Sequence, residues 1–426
     1  MEGLTNFFTQ EIGYGDNTKV PVWMYFAMPF VNGIVGWSTN VLAMKMTFYP
    51  LEFSGIRLCR IKNQPWGLFG WQGIVPAKAA IMSGKTCDLM TSKLFKVDEI
   101  FRRLDSTTFG VVMEEGIIVL LEKIINEAAN EYAPKVWSKT PETVRAEIIL
   151  KAFEQSSSYL SGLLLDMQES IDRILDLKEM CVRKCVENKA LINDLFLLCG
   201  EKEFIFIERS GFYFGFLFGL VQLVVIYYIN SVWVYPICGL IVGWLTNYLA
   251  LKVIFQPIEP RKFLCFNIHG LFLKRQKEVS FMFSQVMCKN IMTTEGIWWS
   301  ILNGPKKVNF QAVLRAHTII FVEKFAGVLI PVLSVALGPN RFDQMKEDIA
   351  VKTMAQLPEI IHLSYDYTTE ALALEETIRE KMEVLSSGEF ERVLHPAFEE
   401  DEIILIVVGA ILGCAASSLF ILFETR

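Results

Sequence analysis

The sequence contains few of the residues on which enzymes and nucleic-acid-binding proteins depend. It has only four histidines in 426 residues, and they show no metal-ligand spacing. It has no nucleophile elbow, no H-E-x-x-H, no Walker loop and no dinucleotide fingerprint. A net charge of −6 offers no basic footprint to a nucleic acid. We therefore predict a protein that is not an enzyme, holds no metal or cofactor and has no nucleic-acid partner.

Charged residues are also scarce, since they make up 21% of the chain against 52% hydrophobic residues. With a positive mean hydropathy, this composition is too apolar for a soluble protein of this length, so part of the chain must lie in lipid. The nine cysteines are an odd number scattered through a chain that is too large to need disulfides. They are typical of reduced thiols.

Four segments are long and apolar enough to be predicted as membrane spans, because a helix needs about 20 apolar residues to cross the hydrocarbon of a bilayer. No basic n-region precedes the first of them, so we do not expect a secretory signal peptide. A fifth apolar segment, 325–338, is too short to span and contains Pro331, and we expect a buried or interfacial helix there. The four predicted spans are 20–44, 211–229, 232–251 and 403–423.

The spans predict a topology. The second and third are separated by little more than Asn230-Ser231, a tight hairpin, so both termini share one side and the segments 46–210 and 256–402 share the other. Basic residues follow the first and third spans, and the positive-inside rule then places the long segments on the cytosolic or equivalent side. These basic residues are Arg57, Arg60, Lys62, Arg261, Lys262, Lys274, Arg275 and Lys277.

The sequence repeats itself. Residues 36–45, Gly-Trp-Ser-Thr-Asn-Val-Leu-Ala-Met-Lys, return at 243–252 as Gly-Trp-Leu-Thr-Asn-Tyr-Leu-Ala-Leu-Lys, an offset of 243 − 36 = 207. After a loop that is about ten residues shorter in the second copy, Gly73 aligns with Gly270. The closing spans align as well, with Gly211, Gly215 and Gly219 opposite Gly409, Gly413 and Ser417.

The repetition predicts an all-α integral membrane protein of two parallel repeats, each built as a span, a helical domain and a span. An N-terminal tail takes residues 1–19, the first repeat 20–229 and the second 230–426. Spans one and three run in the same direction, so the axis that relates the repeats lies along the membrane normal.

Polar residues inside the first and third spans form the first candidate site. Thr39, Asn40, Thr246 and Asn247 occupy repeated positions on one helix face, beside Gly36 and Gly243. One interpretation is helix packing, with small residues allowing close approach and amides bonding across the interface. The other is a polar lining through which a solute or lipid headgroup passes. The glycines of the closing spans are predicted to be helix contacts: Gly211, Gly215, Gly219, Gly409 and Gly413.

The loop 67–78, Gly-Leu-Phe-Gly-Trp-Gln-Gly-Ile-Val-Pro-Ala-Lys, forms the second candidate site. With Pro76 as the first helical residue, the free amides of the next turn predict an anion or lipid-headgroup site near the membrane. The alternative is a plain helix start with tryptophans buried at the interface. The residues assigned to the anion site are Trp71, Gln72, Gly73, Lys78 and Lys85.

These ordered strings, together with the closing stretch 388–402, resemble the domain-of-unknown-function 445 family, membrane proteins of the YheB and YjiN type. The resemblance covers nearly the whole chain. It implies a membrane location and a helical build, and it supplies no established activity or catalytic residues. The second copy departs from the loop motif at 269–274, beginning with His269, so an anion site would belong mainly to the first copy.

Two functions are open from the sequence. The first is passive or coupled transport, or lipid handling, through a site at the repeat interface. The second is a membrane-anchored scaffold whose large helical domains on the cytosolic side bind protein partners or organise the membrane. Membrane lipids are the expected partners in both cases, with other proteins or a second copy of the chain as further alternatives. An intramembrane enzyme lacks a recognisable constellation of residues.

Overall fold

The computed structural model describes residues 11–13, 19–56, 63–67, 69–229, 233–263, 266–326 and 339–424. Helices make up most of these residues, so the predicted all-α class is confirmed for this part of the chain. The hairpin turn at Asn230-Ser231, most of the fifth apolar segment (residues 327–338) and the basic residues Arg57, Arg60 and Lys62 lie outside the described residues.

Twenty α-helices follow one another along the described chain, with a π-helix at Met287–Ile291 and a 3-10 helix at Ile361–Ser364. In chain order they are α1 (Val22–Phe48), α2 (Ile74–Ala77), α3 (Ala79–Lys93), α4 (Val97–Phe101), α5 (Ser106–Val112), α6 (Glu114–Tyr132), α7 (Pro134–Trp137), α8 (Glu142–Glu169), α9 (Ile171–Ile174), α10 (Leu177–Glu187), α11 (Ala190–Tyr228), α12 (Val234–Phe255), α13 (Leu271–Lys274), α14 (Gln276–Val286), α15 (Thr294–Asn303), α16 (Lys307–Ala326), α17 (Pro339–Ile360), α18 (Tyr365–Leu372), α19 (Leu374–Val384) and α20 (Ser387–Glu424).

Short antiparallel strands accompany the helices. Two of the three small sheets follow α1 and α12 in the chain, where the sequence places its loops. The strands are β1 (Glu11–Gly13) with β2 (Lys19–Pro21), β5 (Gly70–Trp71) between β3 (Ser54–Gly55) and β4 (Trp66–Gly67), and β6 (Arg261–Phe263) with β7 (Phe266–Ile268).

The chain divides into two compact units, each assembled from separate stretches of sequence. The first unit takes in Met1–Thr86, Cys185–Phe283 and Arg379–Arg426, and the second Cys87–Lys184 and Ser284–Ile378.

Four helices of the first unit, α1, α11, α12 and α20, cover most of the four predicted spans. Helix α1 packs along α11, and α12 packs along α20. Two stretches are long and apolar enough to cross a membrane, Ala190–Val225 in α11 and Val234–Phe255 in α12, and α20 contains a shorter apolar stretch, Ile406–Ala415. Large apolar side chains on the outer faces of these helices are exposed, as they are on helices that contact lipid: Phe26, Phe30, Ile34, Leu217, Val221, Val224, Ile237 and Ile411.

Glycines bring the backbones of each helix pair into contact. A side-chain carbon added at Gly36 would collide with the carbonyl oxygen of Gly211, and one added at Gly243 would collide with that of Gly409. At Gly215 the added carbon would lie 2.5 Å from the carbonyl oxygen of Asn32. Two further glycines also lie against the backbone of their partner helix: Gly219 faces Pro29, and Gly413 faces Gly239.

The second unit is a helical bundle. Helices α6, α8, α16 and α17 form a ring in which each packs against the next, and α5 packs on α8. Helix α6 is amphipathic because its buried residues recur at helical spacing, with Ile117, Leu120, Ile124 and Ala128 on the inner face.

We expect Gly215→Leu and Gly413→Leu each to destabilise the protein by about 1–3 kcal/mol or more, because a bulky side chain would force the paired helices apart. Thermal unfolding of the full chain in detergent measures this effect. Gly110→Leu in α5 is the control, since a side-chain carbon there would meet nothing within 4 Å. If both variants melt with the parent, these contacts do not contribute to stability.

Candidate functional site

The two repeated asparagines lie inside the helix pairs. Asn40 and Asn247 are each 1% exposed. The Nδ2 group of Asn40 donates a hydrogen bond of 2.7 Å to the carbonyl oxygen of Ile207 on α11. The Asn247 amide lies against Gly409 of α20, where a side-chain carbon would collide with it. Asn40 therefore contacts α11 from α1, and Asn247 contacts α20 from α12.

The two repeated threonines meet at a small cavity. The hydroxyl of Thr39 donates to the carbonyl oxygen of Gly36 at 3.0 Å, and that of Thr246 to Gly243 at 3.2 Å. Both line a cavity of about 20 Å³, close to the volume that a single water requires. The structure thus brings Thr39 and Thr246 to one space, whereas Asn40 and Asn247 do not line it.

The loop that was predicted to bind an anion starts its helix earlier than the sequence suggests. Helix α2 begins at Ile74, so Pro76 is its third residue and the predicted start is wrong. The amide of Ala77 donates to the Gly73 carbonyl at 2.9 Å, and the amide of Lys78 to that of Ile74 at 3.1 Å. Two amides that the prediction left free for an anion are therefore engaged in the helix.

The side chains of this loop hold it to the end of α1. Gln72 is fully buried and donates from Nε2 to the Leu51 carbonyl at 2.7 Å. The indole of Trp71 donates to the Met46 carbonyl at 3.0 Å, and the Gly73 amide to Pro50 at 2.9 Å. We call these contacts the loop clamp. They favour the structural interpretation of Trp71, Gln72 and Gly73 over ligand binding.

A second loop clamp follows α12. There Nε2 of His269 lies 3.0 Å from the Ile258 carbonyl, and the Gly270 amide donates to Pro257 at 3.1 Å. In the alignment of the two copies His269 stands opposite Gln72. The sequence showed this replacement as a departure from the loop motif, but it did not show that both side chains bind the same carbonyl position.

Arg275, which aligns with Lys78, forms a cluster of charges that the sequence did not reveal. Its guanidinium lies 2.5 Å from the Glu203 carboxylate and 3.0 Å from both oxygens of Glu278, and Lys202 also pairs with Glu278 at 2.8 Å. Glu203 is only 4% exposed. Hydrogen bonds from Arg275 and then Lys202 lower the pKa of Glu278 to about 2. Lys78 itself is buried, and Lys85 is half-buried.

A large apolar cavity lies in the second unit, inside the ring of α6, α8, α16 and α17. Its volume is about 390 Å³, and apolar side chains such as Ile124, Leu163 and Leu314 form most of its lining. Apolar side chains around a volume of that size lack packing partners on one side and lose the dispersion contacts that a close-packed core provides. Such a volume therefore has the character of a binding site.

Two tyrosines line the cavity, and one arginine contacts a tryptophan that lines it. The hydroxyl of Tyr159 lies 3.1 Å from that of Thr318, and burial raises the pKa of Tyr159 to about 12. Tyr132 bonds to Asp348, and burial together with this bond raises the pKa of Tyr132 to about 12, so both phenols are neutral at physiological pH. Arg145 lies over the Trp137 ring at 5.1 Å from the ring centre.

The cavity was missed by sequence reasoning. The local signal is a set of four small residues that line it: Ala128 and Ala129 in α6, Ala133 directly after α6, and Ala152 in α8. Within the part of the chain that the structure describes, no three His, Cys, Asp or Glu side chains lie together as metal ligands would.

Comparison with known proteins places the chain near uncharacterised membrane proteins of bacteria. It is 28% identical over 174 residues to a UPF0754 membrane protein of Bacillus cereus (strain AH820), covering 38% of this chain and 44% of the relative. It is 30% identical over 154 residues to one of Bacillus mycoides (strain KBAB4), covering 34% and 39%. No family model and no solved structure matches.

The chain thus spans less than half the length of the curated relatives it matches. These relatives are named as membrane proteins. Two helices of this chain are apolar and long enough to span a bilayer. The chain is therefore similar to a family of membrane proteins of unknown activity.

Proposed function

We propose that the chain is a multi-pass membrane protein whose four apolar helices form a packed anchor, and that it acts as a membrane-anchored scaffold that carries a helical unit on the cytosolic or equivalent side. The observation that carries this proposal is the direct backbone contact in both helix pairs, at Gly36 with Gly211 and at Gly243 with Gly409. Helices that touch at their backbones leave no room for a conduit between the two members of a pair.

The proposal includes two parallel repeats and the resemblance to the domain-of-unknown-function 445 family. Equivalent contacts at aligned positions support the duplication. The loop clamp on α1 uses Gln72 and the clamp on α12 uses His269, and each glycine that follows donates to a proline carbonyl, that of Pro50 or Pro257. The same sequence pattern thus forms equivalent hydrogen bonds in both loop clamps.

Transport or lipid handling through the membrane helices is the second candidate. One observation favours it: among the described residues the Oδ1 atom of the buried Asn40 has no hydrogen-bond partner. A buried acceptor without a partner costs about 1–3 kcal/mol, which a polar solute could recover. Against it stand the small size of the cavity at Thr39 and Thr246, about 20 Å³, and the bond from Asn40 to the neighbouring helix.

The partners of the scaffold follow from its surfaces. The exposed apolar faces of α1, α11, α12 and α20 suit membrane lipids. Other proteins, or a second copy of the chain, are the partners proposed for the helical unit. We retain the prediction that the chain is not an enzyme as part of this proposal.

We expect Asn40→Leu and Asn247→Leu each to cost about 0.5–2 kcal/mol of stability, because each removes a polar contact across a helix pair. Any solute flux or lipid scrambling in liposomes should then fall only in proportion to the loss of folded protein. Thermal unfolding and liposome flux on the same preparations measure both effects. Ser38→Leu is the matched control, since Ser38 lies on the exposed face of the same helix.

The opposite pattern would contradict the scaffold. If either asparagine variant keeps the parental melting temperature but loses flux, and the double variant loses no more, the two side chains line one pathway and transport is the better account.

We expect the segments 46–210 and 256–402 to react with a membrane-impermeant maleimide from the same side, opposite to a cysteine at position 424. Lys93→Cys and Lys289→Cys report on the two segments because both positions are exposed. The native thiols are poorer reporters: Cys87 is 2% exposed, and burial raises the pKa of Cys288 to about 12. Labelling of the two engineered cysteines from opposite sides would end the four-span parallel arrangement.

A further inference from the structure

The apolar cavity of the second unit has the size of one hydrocarbon chain. Its volume is about 390 Å³. An apolar cavity of about 150 Å³ in another protein holds one benzene, which has six carbons. By proportion, this cavity holds about 16 carbons, which is one long acyl chain and not two.

The lining suits hydrocarbon and little else. No charged side chain lines the cavity among the described residues. The hydroxyls that reach it already bond within the protein: Ser156 to the Phe153 carbonyl, Thr318 to that of Leu314, and Thr353 to that of Ile349. A polar ligand would find few hydrogen-bond partners inside, whereas a hydrocarbon chain has no hydrogen bonds to lose on entering.

A cation lies beside one of the residues that line the cavity. Trp137 lines the cavity, and Arg145 lies over the Trp137 ring and donates from one terminal nitrogen to the Trp137 carbonyl. Among the described residues the Nε of Arg145 is buried without a hydrogen-bond partner. A guanidinium with unused N–H donors binds a carboxylate strongly, because the carboxylate oxygens accept its hydrogen bonds.

We propose that the second unit binds one long-chain fatty acid, with the hydrocarbon chain in the cavity and the carboxylate on Arg145. The inference does not depend on the scaffold role, since it rests only on the cavity and on Arg145. A membrane supplies such molecules, and the similarity of this chain to membrane proteins places it near that supply. A diacyl lipid does not fit, because its second chain would find no room.

The test is photo-crosslinking of the full chain in nanodiscs with palmitic acid that carries a diazirine in mid-chain. We expect crosslinks in peptides of α6, α8, α16 or α17, removed by excess unlabelled palmitic acid. Affinity in competition should rise about fourfold with each added methylene and level off near 16 carbons. Crosslinks confined to other helices, or competition by a diacyl phosphatidylglycerol as strong as by the fatty acid, would overturn the proposal.

Two variants test separately how the hydrocarbon chain and the carboxylate of the fatty acid are bound. Ala152→Phe fills the cavity from α8, so it should abolish crosslinking while the protein melts at or above the parental temperature. Arg145→Gln should weaken binding about tenfold or more, while Arg173→Gln, an exposed arginine of the same unit, should leave it unchanged. Equal loss in both arginine variants would contradict the role of Arg145. Undiminished crosslinking in a folded Ala152→Phe would show that the ligand lies elsewhere.

Discussion

The first unit depends on one constraint: the backbones of its paired helices touch, and no side chain can stand between them. Gly36 meets Gly211, and Gly243 meets Gly409, at distances where any side-chain carbon would collide. In lipid the hydrophobic effect does not drive helices together, so short-range packing and amide bonds must do so. The hydrogen bond from Asn40 to the carbonyl oxygen of Ile207 adds a directional polar contact to this packing. Large apolar residues then face outward, where they match the hydrocarbon.

The paired helices of the first unit and the helical bundle of the second differ in packing. The space at the repeated threonines of the paired helices is about 20 Å³, while the cavity of the bundle is about 390 Å³. Backbone contact at the glycines leaves no room for a ligand between the two members of a helix pair. A ring of four helices with alanines on the inner faces of α6 and α8 leaves a volume that hydrocarbon can fill.

Parts of the fold could be predicted because their causes are local. A long apolar run favours a helix wherever it occurs, and helices α1, α11, α12 and α20 cover most of the four predicted segments. The start of α2 could not be predicted, since the Gly73 amide bonds to Pro50, a residue that the sequence alone does not place nearby. The cavity was equally hidden, because its walls come from helices far apart in the chain. The Arg275 cluster joins residues that are 72 positions apart at Glu203.

Alignment of the two predicted repeats contained one more piece of information than the sequence analysis drew from it. It placed His269 opposite Gln72 and Arg275 opposite Lys78, and both substitutions keep a hydrogen-bond donor. The structure shows what this shared chemistry does: Gln72 bonds to the carbonyl of Leu51, and His269 bonds to the carbonyl of Ile258, the residue that aligns with Leu51.

The distance in sequence between paired helices sets an order of assembly on the ribosome. Asn40 and Ile207 are 167 residues apart, so at about 5–20 residues per second the first helix waits roughly ten seconds or more for its partner. During that interval the glycine face of α1 is open to any helix that diffuses past. Helix α12 is translated before its own partner α20, so the α12–α20 pair forms after both members of the α1–α11 pair have been made.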